Sequence, residues 1–195
     1  MARRNSREAI LRTAEELFLS RRFDKVTLED VRKRAKVGKG TIYLYYKDKE
    51  DLYGQVLLSG VDHLHDLITA QAGGEVPPDE KLRAIARQLR EFHQRRQNLF
   101  RMLQAEDCRR ALRDRGLHEQ LRRRHDDLLR LIASVVNQGM KTGIYRNDLP
   151  APAVARVFLA AVRAGSAPRH QCAGPAVSLE RILSLFFDGV RSKKG

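Results

Sequence analysis

From Ser6 onward the apolar residues Ile10, Leu11, Ala14, Leu17 and Phe18 fall at i, i+1, i+4, i+7 and i+8. That spacing puts them on one face of a helix. Thr27 opens a second, short helix with Leu28, Val31 and Ala35 as its inner stripe. Its hydroxyl can cap free N–H groups, and Asp30 adds negative charge to the first turn. Val37-Gly38 then marks a tight turn, where the glycine is expected to take any positive φ that the chain reversal requires. A third short helix is expected from about Lys39 to Tyr46. Asp48 is placed as the cap of a longer fourth helix running through Leu52, Val56, Leu57, Leu64 and Ile68.

Two glycines and two prolines within Gly73-Gly74-Glu75-Val76-Pro77-Pro78 end that helix and put an internal boundary near residues 72–79. Beyond it, Leu82, Ile85, Ala86, Leu89 and Phe92 predict an amphipathic helix capped by Asp79. A short helix is expected around residues 98–106, and a long one over about 117–141 with Leu121, Leu128, Ile132, Val135 and Val136 inside. Pro150 or Pro152 can begin a helix holding Val154, Val157, Phe158, Ala161 and Val162, since proline is tolerated in the first turn. After a loop over 165–175, the last helix runs from Ser178 to about Val190. No run alternates with period 2 and there is no internal repeat, so the chain reads as all-α.

Charge sharpens this organisation. The 195 residues carry a formal charge of +14, which implies an anionic partner. The balance is +5 over residues 1–60, −5 over 61–80, +9 over 81–124 and +5 over 125–195, so an acidic stretch at the boundary separates two basic ones. The two cysteines cannot build a disulfide framework and set no zinc-finger spacing. His63 and His65 point to different sides of a helix, and His118 and His125 read as packed or solvated side chains, so no metal site is expected. No stretch approaches the roughly 18 consecutive apolar residues of a membrane span. The basic start is followed by no signal-peptide pattern. The expectation is a cytoplasmic protein with no membrane partner and no cofactor.

The informative constellation is Thr27 to Leu52. Three short helices, the last two joined by a turn of about three residues containing glycine, have the layout of a helix-turn-helix. A recognition helix needs a slim outer face with polar or aromatic tips that reach base edges and phosphates. Lys39, Gly40, Thr41, Leu44 and Tyr45 are the outward candidates, while Ile42 and Tyr46, four apart, can face the core. Tyr43 lies between the two faces. Lys47 and Lys49 oppose the dipole of the following helix, a placement that a nearby phosphate would make favourable.

The run Phe23-Asp24-Lys25-Val26-Thr27-Leu28-Glu29-Asp30-Val31, followed by residues 35–52 with Lys39-Gly40-Thr41-Ile42-Tyr43 at their centre, closely resembles the DNA-binding segment of the TetR family of bacterial repressors. The resemblance covers about residues 6–58. Where family members often have His-Phe or Tyr-Phe, this chain has Tyr45-Tyr46, and a buried tyrosine must find a partner for its hydroxyl or keep it at the surface. The resemblance implies phosphate contacts from Thr27, Tyr43 and Lys49. It also implies groove contacts from Gly40, Thr41 and Tyr45, with Lys39 near the DNA backbone. It further implies a helix-turn-helix domain over 1–58, with its fourth helix continuing to about 72 as connector. A larger all-helical domain for effector binding and dimerisation would then span 59–195. The last two helices, about 150–164 and 178–190, would form a homodimer interface with Phe158, Val162, Ile182, Phe186 and Phe187. An unknown small-molecule effector would sit among Phe92, Phe100, Leu103, Leu128 and Ile132.

The leading expectation is therefore a homodimeric repressor released from an inverted-repeat operator in double-stranded DNA by its effector. The alternative is a DNA-binding architectural or constitutive factor without an effector. An all-α enzyme finds no support: there is no nucleophile elbow, metal-ligand cluster or Gly-rich phosphate loop.

Overall fold

The computed structural model describes residues 2–96, 116–165 and 177–191. Its helices are α1 (Ala2–Ser20), a 3₁₀ turn (Phe23–Lys25), α2 (Leu28–Ala35), α3 (Lys39–Tyr45), α4 (Lys49–Ala72), α5 (Pro78–Arg95), α6 (Leu117–Lys141), α7 (Ala151–Gly165) and α8 (Leu179–Val190). Among the described residues there is no strand, only an isolated antiparallel bridge between Tyr145 and Arg191. The fold is all-α, as the periodicity predicts. The helix expected around residues 98–106 and most of the loop expected over 165–175 lie outside the described residues. The chain forms two compact units, one from residues 1–62 and 96–122, the other from 63–95 and 123–195.

In the first unit, Ile10, Ala14, Leu17 and Phe18 of α1 close on Val31, Ile42, Tyr46, Leu52 and Tyr53, all buried, and Leu117 at the start of α6 joins them. Phe18, Phe23 and Tyr53 form an aromatic trio, with ring centroids 5.1 Å apart for both pairs that include Tyr53. These edge contacts fix the 3₁₀ turn, which the helical pattern does not reveal. Thr27 caps α2 as expected. Its Oγ1 accepts from the Asp30 N–H at 3.1 Å, and the Asp30 carboxylate accepts from the Thr27 N–H at 2.9 Å, a reciprocal capping box. Hydrogen bonds donated to the Asp30 carboxylate by the Thr27 hydroxyl and the Thr27 N–H hold that carboxyl below its usual pKa.

The turn between α2 and α3 differs from expectation. The left-handed residue is Lys36, with φ of 55°, which ends α2 by donating its N–H to the carbonyls of Arg32 and Lys33. Gly38 instead has an extended backbone with φ of −65° and begins α3. Asp48 caps α4 by accepting from the Asp51 N–H at 2.8 Å. Arg96 is ion-paired to Glu15 on α1 and passes close over α4 at Gly60, where a Cβ would lie 3.0 Å from its guanidinium Nε.

In the second unit the core comes from Leu82, Ile85, Ala86, Leu89 and Phe92 of α5, together with the inner stripes of α6, α7 and α8. Phe158 meets Phe186 edge to face at 5.2 Å. Pro150 precedes α7, its carbonyl accepting from the N–H groups of Ala153 and Val154. Asp79 is not the cap of α5, which begins one residue earlier at Pro78. Its carboxylate accepts from the Tyr145 hydroxyl at 2.6 Å and the Arg191 guanidinium at 2.8 Å, so it fastens the loop after α6 and the end of α8 to the start of α5. Burial, reinforced by that hydrogen bond, pushes the Tyr145 phenol well above its usual pKa. Gly139 makes this possible, because a Cβ there would lie 2.2 Å from the Tyr145 ring.

Tyr46 realises neither option for a buried tyrosine. Its side chain is buried and its hydroxyl has no hydrogen-bond partner among the described residues. Burial raises its pKa, while the nearby Arg7 guanidinium, outside hydrogen-bond geometry, works the other way. An unsatisfied buried hydroxyl costs about 1–3 kcal/mol. Tyr46→Phe should therefore raise the free energy of unfolding by about 1 kcal/mol, measured by urea denaturation. A fall of that size would show that Arg7 holds the hydroxyl in solution.

Candidate nucleic-acid interface

α3 has seven residues and buries only Ile42. Such a helix is about 10 Å long and thin, a fit to a major groove roughly 12 Å wide. Ile42 enters the core of the first unit, and Tyr46, just past the last turn, donates its N–H to the Ile42 carbonyl and buries its ring beside it. With these two facing in, the rest of the helix is turned outward. Lys39, Gly40, Tyr43 and Leu44 are exposed, and Thr41 and Tyr45 are half-buried. Tyr43 is 55 % exposed. Of the residues expected to touch DNA, Lys39, Gly40, Thr41, Tyr43 and Tyr45 therefore sit together on this short helix.

Gly40 has no structural reason to be glycine. Its φ is not in the left-handed region, and a Cβ would meet nothing within 4 Å. Glycine inside a helix is less favourable than alanine by roughly 0.5–1 kcal/mol. The open space above Gly40 is room for a surface from outside the chain.

Thr27 and Lys49 are placed differently from the other expected contacts. The Thr27 hydroxyl donates to the Asp30 carboxylate at 2.7 Å while accepting from the Asp30 N–H. Its one proton is committed, so it can donate to a phosphate only by releasing Asp30. The Lys49 ammonium donates to the Phe23 carbonyl at 3.0 Å and lies 4.2 Å from the Phe23 ring centroid. It ties the start of α4 to the 3₁₀ turn. Lys36 and Lys47 are exposed cations near the ends of α3, and Lys36 is not among the residues expected near a phosphate. Arg32 braces the turn itself, bonding Glu29 at 2.7 Å and the Val37 carbonyl at 3.2 Å.

In the second unit, Phe92, Leu128 and Ile132 are buried. Phe100 and Leu103 lie outside the described residues. A cavity of about 690 Å³ lies on a different face, lined by Leu129, Arg130 and Ala133 of α6 and Ala151, Pro152 and Arg156 of α7. Beside Phe92, burial pushes the His93 imidazole down to about 4, with the Arg163 charge adding to the effect. Of the expected interface residues, Phe158, Val162, Phe186 and Phe187 are buried within their own unit, where they join α5, α7 and α8. Ile182 is half-buried. The outward apolar residues on these helices are Val157, 60 % exposed, and Leu185, 78 % exposed. The bulkiest residues of α7 and α8 thus mark the inner faces of these helices.

Among the described residues no helix is long and apolar enough to cross a membrane, and no group of three acidic, histidine or cysteine side chains could hold a metal ion.

Comparison with known proteins agrees with this geometry. Residues 10–56 match the family described as "Bacterial regulatory proteins, tetR family". Over 162 residues, 80% of this chain and 77% of the relative, it is 26% identical to the HTH-type transcriptional repressor BepR of Brucella suis. A tetR-family regulator structure from Mesorhizobium loti superposes with a TM-score of 0.75 at 20% identity, covering 97% of this chain and 98% of that one. The reduced form of NemR from E. coli gives a TM-score of 0.72 at 22% identity, covering 97% and 100%. Residues 10–56 thus match the tetR family of bacterial regulatory proteins, and the fold is similar along nearly the whole length to solved structures of tetR-family regulators.

Proposed function

We propose that the protein is a homodimeric repressor that binds an inverted-repeat operator and leaves it when a small molecule enters the second unit. The observation that carries this reading is the outward face of α3, where Lys39, Gly40, Tyr43 and Leu44 are held clear of the core by the single anchor Ile42. Two such helices, one per protomer and about one helical turn of DNA apart, roughly 34–36 Å, would read successive major grooves. Lys39 and Tyr43 would reach phosphates, while Thr41 and Tyr45 would meet base edges. Lys49 and Thr27 would serve mainly to fix the frame, given the bonds they already make. Repression is also the activity in the name of the Brucella relative.

Dimerisation would use the outward faces of α7 and α8. Val157, Ala160 and Ala164 fall at i, i+3 and i+7 on α7, a small-residue face, and Leu185 projects from α8. Phe92, Leu128 and Ile132 would form the apolar wall met by the effector. The effector releases DNA only in so far as it binds one conformer of the dimer better than the other.

Selection of genomic fragments by the purified protein at near-physiological salt should enrich an inverted repeat. Binding that is salt-sensitive but enriches no sequence would refute the operator reading and favour the architectural one. Leu185→Asp and Val157→Asp should each shift the protein from dimer to monomer in sedimentation and weaken operator binding at least tenfold. A variant that stays dimeric would remove its residue from the interface.

A further inference from the structure

Leu44 is an unusual residue to find where it stands. It is 64 % exposed, on a helix that buries one residue and is flanked by the exposed cations Lys36, Lys39 and Lys47. Leaving a leucine side chain in water forgoes roughly 1.5–3 kcal/mol of burial. It therefore contributes nothing to the core beneath α3, which Ile42 and Tyr46 fill. Four residues earlier, on the same face of the helix, stands Gly40, above which a Cβ would meet nothing within 4 Å. Gly40 and Leu44 together make an apolar step: an open notch followed by a projecting isobutyl group. The lysines around it select a polyanion as the surface that covers it.

The edges of the bases offer one apolar group in the major groove, the 5-methyl of thymine. We propose that Leu44 is a specificity-determining residue that packs on a thymine methyl, with Gly40 leaving the room for that base to approach. This rests on the DNA-reading role of α3 and adds which base feature is read. Lysines set the affinity through phosphates and carry no sequence information, whereas Leu44 discriminates thymine from cytosine by contact with the methyl group.

Uracil lacks only that methyl, so it isolates the contact. In the selected duplex each thymine is replaced in turn by deoxyuridine, and affinities are measured for the wild type and for Leu44→Ala. The wild type should lose about fourfold per substituted half-site at one position, the worth of one methyl group removed from water. Leu44→Ala should bind thymine and uracil equally at that position and keep any methyl dependence elsewhere. Because Leu44 is exposed, the variant should unfold at the wild-type temperature, and Leu44→Gln provides a second exposed variant with the same expected loss. Specific binding in which no thymine methyl matters, or one whose effect survives both substitutions, would overturn the assignment while leaving the DNA-reading role intact. A wild-type protein that selects no sequence would overturn both.

Discussion

The structure of the reading head depends on one anchor. A seven-residue helix does not persist alone in water, because too few hydrogen bonds repay its nucleation. α3 exists because Ile42 sits in a core built by Ile10, Ala14, Leu17 and Phe18 on one side and Leu52 and Tyr53 on the other. With Ile42 buried and Thr41 and Tyr45 partly packed, Lys39, Gly40, Tyr43 and Leu44 remain unconstrained by packing, which is what a surface selected for an external partner requires. The neighbouring segments then fix its direction. The Thr27–Asp30 box sets where α2 begins, left-handed Lys36 sets where it ends, and Asp48 starts α4 just beyond Tyr46. Lys49 holds that start to Phe23, whose ring packs on Phe18 and Tyr53.

The second unit follows a similar economy with different chemistry. A carboxylate near the start of α5, Asp79, gathers a tyrosine and an arginine that lie 66 and 112 residues further along the chain. Gly139 clears the space that the tyrosine ring occupies. The phenylalanines of α7 and α8 are consumed in joining these helices to α5, where Arg83 also lies 4.6 Å from the Phe187 ring centroid. The outward apolar residues of α7 and α8 are alanines, Val157 and Leu185, set among exposed charged side chains such as Arg156, Arg163, Glu180 and Arg181.

Much of this was legible in the sequence, and the reason is local. The long helix over Leu117–Lys141 and the final one after Ser178 follow from apolar spacing and caps, both set by residues within a turn or two of each other. The Thr27 and Asp48 caps are legible for the same reason. The outward face of α3 follows from spacing around Ile42. The misses are long-range or conformational. A rule that assigns positive φ to glycine chose Gly38, yet the backbone gives it to Lys36 because the C-terminal cap of α2 falls there. Asp79 looks like a cap until Tyr145 and Arg191 arrive from distant parts of the chain. The bulky residues of α7 and α8 are buried within the single chain, and sequence alone does not distinguish that from burial between chains.

On the function proposed above, the outward face of α3 is kept open for DNA and not for the fold. Gly40→Ala tests it most directly, by the affinity of the variant for the selected operator. The substitution adds a Cβ that meets nothing in the protein and favours the helix, so unfolding should show an unchanged or slightly greater stability. The account predicts that operator affinity nevertheless falls at least tenfold. Wild-type affinity in a folded Gly40→Ala protein would contradict it, because DNA would then not approach that face closely.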